Sequence, residues 1–183
     1  MENMQNTIKK IIQRESYISI FFVKNKDLLE RIKHKIIKQI KEDCPLNYKT
    51  NVKAKFTGFH SLVEEPEIFE FMTEIKPCID NISNQVTIVK DCWGNVYDND
   101  DHAALHHHKE VSGFCGILYL TDEGPGTYFK DFDLTIKEEY GKVVLFDPPL
   151  LHEVHKSNLQ KTRITMAFNC YEQKPWYNLY LNQ

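Results

Sequence analysis

Histidine is unevenly distributed along this chain of 183 residues. Most of the histidines lie in one stretch of about fifty residues, and they are His102, His106, His107, His108, His152 and His155. Imidazole is the commonest metal ligand in proteins and is also a frequent acid or base. The clustering therefore predicts a metal site in the second half of the chain.

His108 and Glu110 are the first candidate ligands. If this segment is extended, side chains two residues apart share one face of the strand, so both would point the same way. His152 follows a Pro-Pro turn and would supply a third ligand from a separate strand. Two histidines and one carboxylate leave three adjacent positions free on a six-coordinate ion. That arrangement suits non-haem Fe(II), which must bind a chelating co-substrate and O2.

Arg163 is the candidate for holding that co-substrate. It follows His152 by eleven residues, inside a predicted strand over residues 162–171. Arginine binds a carboxylate through two parallel hydrogen bonds, and Thr165 shares its face of the strand while Ile164 and Met166 face the other way. A buried arginine needs a partner, which a bound dicarboxylate would supply.

The elements that must position these residues fall into two groups. Apolar residues at helical spacing predict a helix over residues 27–42, and a second helix is expected from Pro66, disturbed near its end by Pro77. The rest of the pattern indicates short strands separated by turns, expected at residues 17–23, 86–89, 92–97, 114–120, 127–132, 143–146, 151–155 and 162–171. We expect one domain over residues 1–183, in which a helix-containing half (about 1–84) packs on a β-sandwich or jelly-roll core (about 85–173).

Composition narrows the class of partner and the compartment. The formal net charge of -3 and the pI near 6.2 give no bulk attraction to nucleic acid. The five cysteines are an odd number without CxxC spacing, which favours a reducing compartment. The first residues show no signal peptide, and no apolar run is long enough to span a bilayer. We therefore expect a soluble, cytoplasmic protein that has no membrane partner.

The segment from Trp93 to Tyr171 resembles the 2-oxoglutarate- and Fe(II)-dependent oxygenases, most closely their small phage and bacterial members. The matching pieces are Trp93-Gly-Asn-Val-Tyr97, His108-Lys-Glu110, Cys115-Gly-Ile-Leu-Tyr-Leu120, Gly126-Thr-Tyr-Phe129, Gly141-Lys-Val-Val-Leu-Phe146, His152-Glu-Val154 and Arg163-Ile-Thr-Met-Ala-Phe-Asn169. The resemblance implies a mainly β fold with flanking helices around a double-stranded β-helix (jelly-roll, cupin-like) core.

The same resemblance implies a chemistry and roles for several residues. Fe(II) would be held by His108, Glu110 and His152. The co-substrate 2-oxoglutarate would be bound by Arg163 and contacted by Thr165, Tyr97 and Asn95. Reaction with O2 would hydroxylate a substrate and release succinate and CO2.

Two features depart from the family pattern. The carboxylate is Glu110, where aspartate is commoner, and the three consecutive histidines allow His106-x-His108 as a competing frame. The His108-x-Glu110 frame keeps a carboxylate ligand, which also argues against a halogenase.

Other functions stay open. A cupin-type dioxygenase or isomerase would use similar ligands but would not require Arg163, and a binding module without turnover would not require an intact set of ligands. A zinc hydrolase is a further alternative with little in its favour. The substrate is expected to be a protein side chain or a small molecule, and nucleic acid is disfavoured. The apolar segment 176–181 is expected to cover the barrel or to mediate a dimer.

Overall fold

The computed structural model describes residues 9–13, 16–42, 50–83, 86–158 and 161–173. One of the five cysteines, Cys44, and the segment 176–181, which was expected to cover the barrel or to mediate a dimer, lie outside these residues. In chain order the elements are β1 (Lys9–Gln13), β2 (Ser16–Phe22), α1 (Lys26–Glu42), β3 (Val52–Lys53), β4 (Lys55–Phe56), α2 (Pro66–Asp80), β5 (Thr87–Tyr97), β6 (His102–His106), β7 (Phe114–Tyr119), β8 (Thr127–Phe129), β9 (Leu134–Ile136), β10 (Lys142–Phe146), β11 (His152–Val154) and β12 (Arg163–Glu172).

The strands form two antiparallel sheets. The larger sheet has seven strands in the order β1-β2-β10-β7-β12-β5-β4, and the smaller has five in the order β3-β6-β11-β8-β9. Neighbours in the sheets are often distant in sequence, as expected for a jelly roll. The structure is therefore the mainly β fold with flanking helices that the sequence predicts.

The two helices cover the outer face of the larger sheet. Their buried positions include Leu28, Ile32 and Ile36 on α1 and Phe71 and Ile75 on α2. These residues join one apolar cluster with outward-facing residues of the sheet, because each helix carries its apolar side chains on one stripe. Neither helix is long and apolar enough to cross a membrane.

A second apolar cluster fills the space between the two sheets. In β10, Val144 and Phe146 belong to this inner cluster, whereas Val143 and Leu145 pack under the helices. This alternation follows from the two-residue period of a strand. Both faces of the larger sheet are thus buried, and its inner face also lines the candidate site.

The structure differs from the sequence-based expectations in several details. Strands β3, β4, β6 and β9 lie where no strand was predicted, and the strand expected at 127–132 ends at Phe129, before a short 3-10 helix. The strands expected at 86–89 and 92–97 are one strand, β5, because the register shift opposite Asn169 and Cys170 is absorbed without ending the pairing. The helix α2 continues through Pro77 to Asp80, since a proline in the last turn removes only one hydrogen bond near the helix end. Strand β1 was not predicted, and it pairs with β2 at the edge of the larger sheet.

Replacing Phe71 tests how strongly α2 is held to the sheet. Its ring is 0% exposed and meets the ring of Phe168 on β12 edge-on at 5.6 Å between centroids. We expect Phe71→Ala to lower the free energy of unfolding by about 3–5 kcal/mol through lost burial and a cavity, measured by urea denaturation. The control is Phe69→Ala on the same helix, where the ring is 79% exposed and the change should stay within about 0.5 kcal/mol. Equal losses in the two variants would contradict this packing.

Candidate metal centre

Three histidines meet at one end of the space between the sheets. His106 ends β6 and His152 begins β11, and the two residues are directly paired across these antiparallel strands. His108 follows β6 by two residues. One potential ligand atom from each ring lies within 4.8 Å of the others. Because nitrogens bound to one metal at about 2.1 Å are roughly 3 Å apart, small side-chain rotations would bring all three onto a single ion.

Hydrogen bonds fix the orientation of two of these rings. Nδ1 of His152 lies 2.9 Å from the carbonyl oxygen of Leu150, and Nδ1 of His106 lies 2.7 Å from that of Ala104. A carbonyl oxygen can only accept, so each Nδ1 carries the proton and donates it. Nε2 of both rings is then left with a free lone pair, which is the arrangement that metal-binding histidines commonly show.

The environment also keeps the three rings neutral. Burial, and next the neighbouring His106, lowers the pKa of His108 to about 4. The same two causes, burial first, hold the pKa of His152 well below its ordinary value. Burial likewise lowers the pKa of His106. Neutral imidazole is the form that binds a metal, so no proton has to be displaced from these rings near neutral pH.

Packing and a backbone contact hold the cluster in place. The His152 ring stacks on Phe129 at 5.8 Å and meets Phe146 edge-on at 4.7 Å between centroids. The backbone N–H of His108 donates to the carbonyl oxygen of Pro148 at 2.8 Å, which ties the loop after β6 to the Pro-Pro turn before β11. The aromatic residues and the turn thus position the histidines from two sides.

Glu110 lies outside this group. The strand expected through residues 108–110 ends at His106, because the chain turns at His108, whose carbonyl oxygen accepts from the N–H of Val111 at 2.9 Å. The rule that residues two apart share a face of a strand therefore does not extend to Glu110, which lies exposed in the turn. The competing frame, His106-x-His108, is the one whose side chains the structure brings together with His152.

The other histidines of the stretch do not belong to the cluster. His107, which lies between His106 and His108 in the sequence, is exposed. His155 is exposed, with its ring 5.5 Å from that of Tyr128. His102 is half-buried at the start of β6.

An interior cavity of about 50 Å³ extends from the histidines into the sandwich. Its walls include all the residues predicted to contact a co-substrate, which are Arg163, Thr165, Tyr97 and Asn95. Arg163 pairs with Tyr97, and Thr165 with Asn95, across β12 and β5. The structure thus places the four residues on one wall of a cavity that also reaches His106, His108 and His152.

Arg163 already has a charged partner within the protein. Its Nε donates to Oε1 of Glu138 at 2.6 Å, and both side chains are 1% exposed. Sequence reasoning expected a bound dicarboxylate in this role and missed Glu138. The signal was weak: Ile136 is the buried end of β9, and Glu138 is two residues further along, so it falls on the inward face if the extended chain continues.

A glycine-rich turn packs against the Glu138 carboxylate. The N–H of Gly126 donates to Oε1 of Glu138 at 3.1 Å. A Cβ at Gly124 would lie 2.5 Å from the same oxygen and 3.0 Å from Cδ of Arg163, so a side chain at residue 124 would force the ion pair to shift. This Gly-Pro-Gly segment lies between the strands predicted at 114–120 and 127–132, where a turn is expected, but the ion pair that it accommodates was not predicted.

Part of the Arg163 guanidinium is still free to bind. Nη1 is buried and has no hydrogen-bond partner in the part of the chain that the structure describes. The guanidinium carbon lies 4.4 Å from the centroid of the Tyr97 ring and 5.7 Å from that of Tyr119. Burial opposes the charge of Arg163, but surrounding groups that include Glu138 keep its pKa above the ordinary value. A buried donor without a partner is costly, so Nη1 marks a place for a ligand acceptor.

A second, open cavity lies on the outer side of the histidines. It has a volume of about 320 Å³ and adjoins His106 and His108, and Arg163 does not line it. Its lining also includes Phe59, Trp93 and Glu110. A molecule entering from solvent would meet the metal centre here.

The donor set fits a divalent first-row metal. Three neutral imidazoles are suitable ligands for Fe(II), Ni(II) or Zn(II), and the two adjoining cavities leave room for further ligands. The tautomers of His106 and His152, with Nε2 free, are those that such binding requires.

Similarity to solved structures is confined to the fold. No family model matches this sequence, and no curated protein matches it. The prolyl-4-hydroxylase of Pseudomonas putida has a TM-score of 0.64 at 12% identity, over 93% of this chain and 95% of that chain. HygX of Streptomyces hygroscopicus, solved with nickel and 2-oxoglutarate, has a TM-score of 0.64 at 12% identity, over 85% and 82%.

A third similar structure comes from a virus. The collagen prolyl hydroxylase of Paramecium bursaria Chlorella virus-1, in complex with 2-oxoglutarate, has a TM-score of 0.62 at 13% identity, over 80% of this chain and 90% of that chain. The similarities extend over most of each chain. The fold of this protein is therefore the double-stranded β-helix of the 2-oxoglutarate- and Fe(II)-dependent oxygenases.

Proposed function

We propose that this protein is a 2-oxoglutarate-dependent non-haem Fe(II) dioxygenase. It would hydroxylate a protein side chain or a small molecule and release succinate and CO2. One observation supports this function above the others: a single cavity has three neutral imidazoles at one end and a buried guanidinium with a free N–H at the other. A chelating 2-oxo acid requires this combination, because the metal ligands hold the ion that it chelates and the guanidinium donates hydrogen bonds to its far carboxylate.

In this proposal His106, His108 and His152 hold the iron. His106 and His152 bind through Nε2, because their Nδ1 atoms donate to backbone carbonyls. When bound, Fe(II) supplies the redox chemistry that couples oxidative decarboxylation of the 2-oxo acid by O2 to hydroxylation. The protein contributes the geometry, since Phe129 and Phe146 fix the His152 ring before any ligand arrives.

The co-substrate would lie between the histidines and Arg163. Arg163 offers Nη1 to the far end of the molecule. Asn95 donates through Nδ2 to Oγ1 of Thr165 at 3.4 Å, and its Oδ1 is buried without a partner among the described residues. These two polar side chains form the wall beside the chain of the 2-oxo acid.

The comparisons support parts of this proposal. HygX was solved with nickel and 2-oxoglutarate, which supports a divalent metal and this co-substrate on such a fold. Two of the similar structures are prolyl hydroxylases, which supports a protein side chain as one possible substrate. The outer cavity beside Phe59 and Trp93 is the proposed substrate entrance.

A cupin-type dioxygenase that does not use 2-oxoglutarate is the second candidate. Two observations favour it: the clustered ligands are all histidine, and Arg163 has an internal carboxylate partner in Glu138. The free Nη1 of Arg163 favours the first candidate, because a structural ion pair alone leaves that buried donor unexplained.

Metal binding distinguishes the two possible frames of the first ligands. We expect His106→Ala to weaken Ni(II) binding by at least about 100-fold. This is more than the usual effect of replacing a residue that only hydrogen-bonds to a metal ligand. Glu110→Ala should leave the affinity within about threefold, because Glu110 lies outside the cluster. Isothermal titration calorimetry on the folded variants measures both, with His155→Ala as the control for loss of an exposed histidine. A large loss in Glu110→Ala and none in His106→Ala would instead establish the His108-x-Glu110 frame.

Co-substrate binding tests the role of Arg163. Anaerobic addition of 2-oxoglutarate to the Fe(II)-loaded protein should produce a weak charge-transfer band in the visible range. Arg163→Lys should weaken 2-oxoglutarate binding by about 10–100-fold, the usual effect of losing a hydrogen bond to a charged group. Lysine is preferred to alanine here, because Arg163→Ala would leave Glu138 buried and unpaired, which costs about 3–5 kcal/mol.

The matched control is Arg31→Lys on α1, which is remote from the cavity and should bind 2-oxoglutarate as the unchanged protein does. Absence of the band from folded, iron-loaded protein would refute the use of 2-oxoglutarate. An unchanged affinity in Arg163→Lys would refute the role of Arg163.

A further inference from the structure

The distribution of charge in the cavity differs from the one that the sequence predicts. A predicted set of His108, Glu110 and His152 carries one negative charge beside the metal, and Arg163 carries one positive charge at the far end. In the structure the clustered residues are all histidines, which bind a metal as neutral imidazoles, and a negative charge lies at the far end as Glu138, paired with Arg163. If a divalent metal, its three ligands and the charged groups at the Arg163 end are counted, the two arrangements have the same total charge. In the structure, however, the metal end is more positive by one charge and the Arg163 end is neutral.

Glu138 reaches Arg163 from outside the cavity. Arg163 lines the cavity and Glu138 does not. The Glu138 carboxylate therefore accepts the hydrogen bond of Nε on the side away from the cavity, while Nη1 stays free. A ligand at Nη1 would therefore find a hydrogen-bond donor whose positive charge is already balanced. A neutral acceptor satisfies this donor fully, whereas a second carboxylate would add an unbalanced negative charge close to Glu138 in a region of low dielectric.

We propose that Glu138 is a specificity-determining residue that lets the site accept 2-oxo acids whose tail ends in an uncharged hydrogen-bond acceptor, alongside 2-oxoglutarate itself. This inference rests on the proposed function, because it assumes that a 2-oxo acid binds between the histidines and Arg163. Removing the charge of Glu138 makes Arg163 an unbalanced cation and shifts the preference toward the dicarboxylate.

The test compares two ligands on the Ni(II)-loaded protein, so that binding is measured without turnover. The ligands are 2-oxoglutarate and its 5-methyl ester, which keeps an acceptor but has no charge at the tail, and isothermal titration calorimetry gives both dissociation constants. We expect the dissociation constant of the ester to be within about tenfold of that of 2-oxoglutarate, a difference no larger than the contribution of about one charge-assisted hydrogen bond. In Glu138→Gln the preference for 2-oxoglutarate should rise at least about tenfold. Because the added methyl group is the same in both proteins, its steric effect cancels in this comparison.

Glu139→Gln is the matched control. Glu139 is 60% exposed and pairs with Lys142, so its loss should leave the preference unchanged. A preference for 2-oxoglutarate in the unchanged protein well above tenfold would overturn the inference. So would a Glu138→Gln variant that binds both ligands more weakly by the same factor, since Glu138 would then only position Arg163.

If Glu138→Gln fails to fold, the ratio measured on the unchanged protein decides the question against the same tenfold limit. If the Ni(II)-loaded protein binds neither 2-oxo acid, the proposed function itself is overturned and this inference falls with it. Tight binding of 2-oxoglutarate with strong discrimination against the ester overturns the inference alone.

Discussion

A guanidinium cannot stay buried between two sheets without a partner, and this constraint organises one end of the molecule. Arg163 lies on the inner face of β12 with 1% of its side chain exposed, and Glu138 supplies the balancing charge at 2.6 Å. To do so, the chain after β9 must run inward, and Gly124 and Gly126 must give it space and an N–H donor. The ion pair therefore joins the loops around β8 and β9 to the larger sheet.

The other end of the cavity depends on the pairing of β6 with β11. His106 and His152 are direct partners in this ladder, so the strand register alone brings these two imidazoles together. His108 joins them through the tie between its N–H and Pro148. The result is a neutral set of ligands facing a neutral ion pair, so that a divalent metal would be the main uncompensated charge in the cavity. Such a site attracts anionic chelators to the metal end more than to the Arg163 end.

The fold could be predicted from the sequence, and so could the position of several candidate-site residues; the differences have physical causes. Arg163 and His152 could be placed because strand alternation and spacing agree for both, and the helix α1 followed from its apolar stripe. The exposed position of Glu110 could not be predicted. The chain turns after β6 through the hydrogen bond from Val111 to His108, and the loop is held by a second, long-range bond from His108 to Pro148, which no local pattern reveals. Glu138 sits within Lys-Glu-Glu, a run that normally faces solvent, and only the partner that it meets across the fold makes it a buried residue.

X-ray absorption at the metal edge measures most directly which residues of the proposed site bind the metal. On the Ni(II)- or Fe(II)-loaded protein without co-substrate, we expect scattering from three imidazole rings, reduced to two in His106→Ala and unchanged in Glu110→Ala. Two imidazoles together with a carboxylate, lost in Glu110→Ala, would contradict the three-histidine site.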